Sequence, residues 1–198
     1  MVMNYYYSST TSIRLHRFLF PAVTVILCLN IAVHGGGGVD LIHETCKATR
    51  HYRLCVSSLE SDSASSNASD AKGLTRIMAA VGIANATATK SYISSLLLRG
   101  GGGGETGKRL LRDCGDKYSY AGDALRASIP DMEAEMYDYA YMEVAAAADY
   151  PNACHDGFRR HPGLANYPVQ LGVREDGLRR ICDVLLGMLD SLLLHSSP

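Results

Sequence analysis

Residues 40–59 read DLIHETCKATRHYRLCVSSL, with eight residues between Cys46 and Cys55. Folded as helix–turn–helix, this stretch brings the two sulfurs back to back. Leu41, Ile42, Leu54, Val56 and Leu59 then turn toward whatever the hairpin rests on. The stretch also divides the chain. The residues before it read as a targeting segment, and nearly everything after it reads as helix.

Residues 1–38 have the make-up of a secretory signal, with cleavage near 35–38. The start is polar and basic, with Arg14 and Arg17 and no acid, and the apolar run FLFPAVTVILCLNIAV follows over residues 18–33. Pro21 and Asn30 interrupt the run, and it falls short of the roughly 20 apolar residues of a membrane span. Cleavage leaves residues 39–198 as a single domain. It takes two of 19 basic residues and none of 20 acidic ones, leaving 17 against 20. So small an imbalance carries no argument for a nucleic-acid partner, which would want a clustered basic face. Cleavage also removes Cys28, so five cysteines remain: Cys46, Cys55, Cys114, Cys154 and Cys182. In an oxidising compartment, four in bridges and one left over is the natural account.

Downstream, the serine-rich connection 57–70 ends at Asp70, a good N-cap. Leu74, Ile77, Val81, Ala84, Ala88 and Leu96 then recur at three- and four-residue steps, which predicts one long amphipathic helix over 71–99. The glycines at 100–104 end it. A second helix is expected over 105–128, with Leu110, Cys114, Tyr118, Ala121 and Leu125 inward and Pro130 breaking it. A third is expected over 132–148. Tyr137, Tyr139 and Tyr141 alternate with the period of a strand there, but the Ala145–Ala148 run and the Glu and Met content favour helix. Pro151, Pro162 and Pro168 bracket an irregular link. A fourth helix over 169–194 carries Leu171, Leu178, Cys182, Leu185, Leu189 and Leu192 on one stripe. The predicted fold is all-α: an up-down-up-down four-helix bundle with an N-terminal helical hairpin and two disulfides.

Four cysteines allow three pairings. Closure of Cys46 on Cys55 is local. Cys114 lies in the second helix and Cys154 just past the third, so a bridge between them would tie antiparallel neighbours. A zinc site using His155 beside Cys154 is poorly supported, because no CxxC pair accompanies it. Cys182, on an apolar stripe, reads as a buried free thiol.

Gly102–Lys108 nearly spells a phosphate-cradling loop, but Arg109 stands where Ser or Thr is needed and helix, not strand, precedes it. It reads as a linker. Sequons occur at Asn67-Ala68-Ser69, in a serine-rich polar loop where a glycan is expected, and at Asn85-Ala86-Thr87, beside the buried stripe of a helix, where a glycan would require that helix to turn the residue outward. No GxSxG elbow, HExxH motif or activated cysteine is present, so no catalytic residue, cofactor site or metal site is assigned.

Taken together, Thr45-Cys46, eight residues and Cys55; Asp113-Cys114 with Tyr118 four residues on; Cys154-His155-Asp156-Gly157-Phe158; the sequon at Asn85; and the leftover Cys182 resemble the plant invertase/pectin methylesterase inhibitors. The resemblance spans the chain after residue 38. It implies bridges Cys46–Cys55 and Cys114–Cys154, secretion to the apoplast and cell wall or delivery to the vacuole, no catalysis, and a one-to-one complex that covers the cleft of a target enzyme. The Pro-Lys-Phe tripeptide associated with invertase inhibitors is absent, which favours pectin methylesterase over acid invertase as the target. The pentaglycine loop departs from the usual compact connection. A competing reading is a secreted helical binding protein with a non-enzyme partner. Rigid helix faces lose little entropy on docking. The contact surface is therefore expected on the second and third helices, at Lys117, Tyr120, Asp123, Asp131, Glu135, Asp138 and Tyr141.

Overall fold

The computed structural model describes residues 36–163 and 166–196; the expected signal, residues 1–38, lies outside them but for its last three positions. Residues 38–198 form one unit, distinct from residues 1–37. Among the described residues there are six α-helices and no strand: α1 Gly36–Cys46, α2 Tyr52–Glu60, α3 Ala71–Leu98, α4 Gly104–Glu133, α5 Tyr137–Arg159 and α6 Val169–Ser196, with a 3-10 turn at Ser63–Asn67 before α3.

The four long helices α3 to α6 form the bundle. Each packs on its chain neighbour and α6 closes back on α3, while α2 rests on α3 and α6. Two of the helix ends are fixed locally. Asp70 caps α3, its carboxylate accepting from the Gly73 N–H at 2.7 Å. At the far end of α4 the Glu135 N–H donates to the Met132 carbonyl and the Met136 N–H to that of Asp131, at 3.2 and 2.9 Å. This is the Schellman arrangement, which places its turning residue in the left-handed region. That residue is usually glycine; here it is Glu135, at φ 59°.

The core runs the length of the bundle. Ile42 and Leu59 of the hairpin are buried, and Leu41, Leu54 and Val56 pack against the core, so all five residues expected to face inward do so. Cys46 and Cys55 are bridged across the hairpin, and Cys114 and Cys154 join α4 to α5 with Cα atoms 4.8 Å apart. Cys182 is free and buried.

The predicted helices exist, but several details differ. On α3 the buried positions are Leu74, Thr75, Met78, Ala79, Gly82, Ala86, Thr89 and Ile93, whereas Ala84 and Ala88 are exposed. Small residues mark the buried side because α4 approaches closely: a Cβ on Gly122 would lie 3.8 Å from that of Ala86, and one on Gly82 2.9 Å from Leu125. Pro130 does not break α4, which continues to Glu133, and Pro151 lies inside α5. Each proline removes one backbone hydrogen bond, but the turns beyond them bury Met132, Cys154 and Phe158. The third bundle helix is therefore Tyr137–Arg159 rather than 132–148, and Cys154 lies within it. The loop at 100–104 turns through left-handed Gly100, Gly102, Gly103 and Gly104. It follows helix α3, so the strand that a phosphate-cradling loop requires is replaced by helix.

Candidate functional site

Helices α4 and α5 run antiparallel, held by Cys114–Cys154 near one end and by the Schellman corner at Glu135 at the other. The seven sequence candidates fall on this pair in two groups. Lys117, Tyr120 and Asp123 lie toward the disulfide end, where the Lys117 ammonium sits 5.7 Å from the Tyr120 ring centroid. The Tyr120 ring lies 5.6 Å from that of Tyr150 on α5, and Asp123 accepts from Arg126 at 2.7 Å. Asp131, Glu135, Asp138 and Tyr141 gather at the corner. Eight residues of helix separate Asp123 from Asp131, about 12 Å along α4, and fourteen separate Lys117 from Asp131, about 20 Å.

The corner is acidic, and only part of that charge is compensated. Glu135 accepts from Lys72 at 2.9 Å and Glu133 from Arg76 at 3.1 Å, both from α3. Asp131, Asp138 and Glu143 make no ion pair among the described residues. Tyr141 is half-buried against the core rather than outward. The outward aromatic is Tyr139, 61% exposed, flanked by Met142 at 66% and Met136 at 45%. The sequence held the signal for this. On a helix, residues 137 and 141 share a face and 139 opposes them, so the Tyr-x-Tyr-x-Tyr run buries Tyr137, tucks in Tyr141 and presents Tyr139.

At the disulfide end a cleft of about 340 Å3 opens between α4 and α5, lined by Arg109, Asp113, Lys117, Tyr120, Arg160 and His161 among others. Arg112 and Arg159 nearby are tied to Glu105 and Asp156. The α4–α5 face thus carries exposed aromatic and thioether groups among carboxylates at one end, and a mixed, more basic cleft at the other.

Behind this face, a polar cluster fixes the link from α5 to α6. The Tyr167 ring stacks on His155 at 4.3 Å and meets Phe158 edge-on. Its hydroxyl donates to Glu175 at 2.9 Å, and His155 reaches the same carboxylate at 3.1 Å. Burial pushes the Tyr167 and Tyr118 phenols well above the usual range, and the Glu175 charge adds to both. His155 is engaged with Glu175 and Cys154 with Cys114, so the pair that might suggest zinc is otherwise occupied.

The two sequons differ in setting. Asn67 is exposed at the end of the 3-10 turn. Asn85 is half-buried, its Oδ1 buried without a partner and its Nδ2 3.8 Å from where a Cβ on Gly177 of α6 would stand.

Residues 40–188 match the plant invertase/pectin methylesterase inhibitor family. The chain is 50% identical over 153 residues to an Arabidopsis thaliana protein named cell wall/vacuolar inhibitor of fructosidase 2, covering 77% of this chain and 83% of that protein. It is 39% identical over 165 residues to pectinesterase inhibitor 28 of Oryza sativa subsp. japonica, covering 80% and 70%. The fold is similar to that of a mutant form of a pectin methylesterase inhibitor from Arabidopsis, with TM-score 0.59 at 21% identity over 73% of this chain and 92% of that one. The match along nearly the whole bundle, joined to the twice-bridged helical fold, establishes that this chain belongs to the plant invertase/pectin methylesterase inhibitor family, whose members inhibit enzymes and are not enzymes themselves.

Proposed function

We propose that this protein inhibits an acid invertase, a fructosidase of the plant cell wall or vacuole, by docking one-to-one over its substrate cleft. The observation that carries this reading is the 50% identity to a fructosidase inhibitor, against 39% to a pectinesterase inhibitor. The reading includes export from the cell with loss of residues 1–38, consistent with the polar, basic and then apolar start of the chain. Docking uses the α4–α5 face, where Tyr120, Tyr139 and Met142 offer exposed contact area on rigid helices. Two helix faces of this length supply the roughly 800 Å2 per partner of a standard interface.

Pectin methylesterase is the second reading. It is favoured by the missing Pro-Lys-Phe tripeptide and by the rice relative. The test is to titrate purified residues 39–198 against an acid invertase and a pectin methylesterase side by side at wall pH. The proposal expects near-stoichiometric loss of invertase activity with the esterase untouched. The opposite pattern moves the assignment to the esterase. Loss of neither returns the protein to the class of non-inhibitory binding proteins.

A further inference from the structure

A second cleft, of about 500 Å3, lies on the other side of α4, where the 3-10 turn and the first turns of α3 meet the end of α4. Its lining includes Asn67, Lys72, Arg76, Ile77, Ala80 and Ile129. The cationic heads of Lys72 and Arg76 are drawn to Glu135 and Glu133, so these two residues offer the cleft mainly their aliphatic stems. The result is an open apolar seat with a polar rim, and one of the residues on its rim is an exposed asparagine that begins an acceptor triplet. The triplet is accessible as well: Asn67 and Ser69 are exposed, and Ala68 between them has extended backbone, φ −71° and ψ 127°.

The other sequon has none of these properties. Asn85 lies in the middle of α3 with its amide against Gly177 of α6 and its Oδ1 buried. Ala86 is fully buried, and the Thr87 hydroxyl is committed to the Ile83 carbonyl at 2.8 Å.

We propose that Asn67 carries an N-linked glycan whose innermost N-acetylglucosamine units lie in the cleft against Ile77 and Ile129, and that Asn85 stays bare. The inference rests on the secretion part of the function proposed above. In the modifying step the Asn67 Nδ2 forms a bond to the anomeric carbon of an oligosaccharide donated by a lipid pyrophosphate. The bond from that carbon to the pyrophosphate oxygen breaks, and the Nδ2 proton leaves to a base of the transferring enzyme. Once attached, the apolar C–H face of the first sugars covers side chains that the protein alone leaves half-exposed. Burial of such surface stabilises the fold. A cleft of this volume falls within the range of about 300–1,000 Å3 in which small ligands are held.

The test expresses the full chain in plant cells and collects it from the medium. Enzymatic removal of N-glycans converts the carrying asparagine to aspartate, which mass spectrometry of the peptides reads. Conversion at 67 and not at 85 is expected; a bare Asn67 or a converted Asn85 overturns the assignment. Residues 39–198 behind a signal of known strength are run in parallel. A natural chain that stays inside the cell while the fusion is exported and modified at Asn67 supports the site and removes only the secretion reading. The seat is tested by melting the glycosylated protein against Asn67→Asp, in the wild type and in Ile77→Ser. The glycan is expected to raise Tm by about 2–4 °C in the wild type and by clearly less in Ile77→Ser. An equal effect of the glycan in both backgrounds, or none in the wild type, overturns the seat.

Discussion

Cys182 carries no bridge and has no exposed surface. Burial pushes its thiol up to about 12, with the Asp183 charge acting in the same direction. The sign of the consequence follows from linkage. The folded state holds the thiol proton more tightly than the unfolded chain, whose thiol titrates near 8.5. The stabilisation is therefore whole below that pH and is lost as pH rises toward 12. Tyr118 and Tyr167 are shifted the same way and add to the loss. Melting temperature is expected to be insensitive to Cys182 ionisation below pH 8 and to decline from about pH 9 upward, with the early part of the decline absent in Cys182→Ala. A thiol reagent at pH 8 should leave native Cys182 unlabelled and modify it fully in denaturant; labelling of the native protein at the rate of an exposed thiol would show the burial to be wrong. This residue was legible in the sequence because it stands on the leucine stripe of the last helix. Tyr139 was legible in principle, but its two neighbouring tyrosines gave the run the look of a strand and hid which ring faces out.

Among the elements, helix identity was plain from periodicity while helix ends and faces were not. Pro130 and Pro151 are local breakers that burial of the following turn overrides, and the buried side of α3 is written in Gly82, Ala86 and Thr89, which apolar periodicity does not register. The bridges are local constraints with separable effects. In the chain-entropy model, closing the loop at separation 40 between Cys114 and Cys154 stabilises by about 4 kcal/mol, and the separation of 9 between Cys46 and Cys55 by about 3. Denaturant unfolding of Cys114→Ser/Cys154→Ser should show a loss of several kcal/mol. A loss under about 1 kcal/mol would mean that packing alone holds α4 to α5. The corner between these helices makes a sharper prediction. Glu135 adopts a conformation that glycine takes without strain, and its ion pair to Lys72 is too exposed to compensate for much. Glu135→Gly should therefore leave the protein as stable or raise stability by up to about 1 kcal/mol, while weakening inhibition if the corner meets the target. A clear loss of stability in the urea midpoint would count against the strain.

At the scale of the whole molecule, the family and the bundle were readable from spaced cysteines and apolar stripes, but which of the candidate side chains stand free and outward was readable only in part. Lys117, Tyr120, Asp123 and Asp138 lie on the α4–α5 face, and Glu135 turns its corner, yet Asp123 and Glu135 are already partnered with Arg126 and Lys72. Tyr141 supports the core. Replacing Asp123, Glu135 and Tyr141 together would thus confound lost contact with a damaged bundle. The informative triple substitution is Tyr120→Ala, Tyr139→Ala and Met142→Ala, which removes the exposed contact area and leaves the buried stripes of α4 and α5 intact. Aromatic anchors at interface centres contribute more than about 1 kcal/mol each. If this face docks on the target, the triple variant should lose at least about 2 kcal/mol, roughly 30-fold in Kd, with its melt unchanged. The measurement is an inhibition titration of the sensitive enzyme from pH 5 to 7. Asp131, Asp138 and Glu143 carry no ion pair on that face, so neutralising them as amides should change the salt dependence and association rate more than the dissociation rate. Undiminished inhibition by a folded Tyr120, Tyr139 and Met142 variant would remove the α4–α5 face from consideration. It would turn attention to the hairpin, where Val39 and Tyr52 are exposed apolar groups open to a partner.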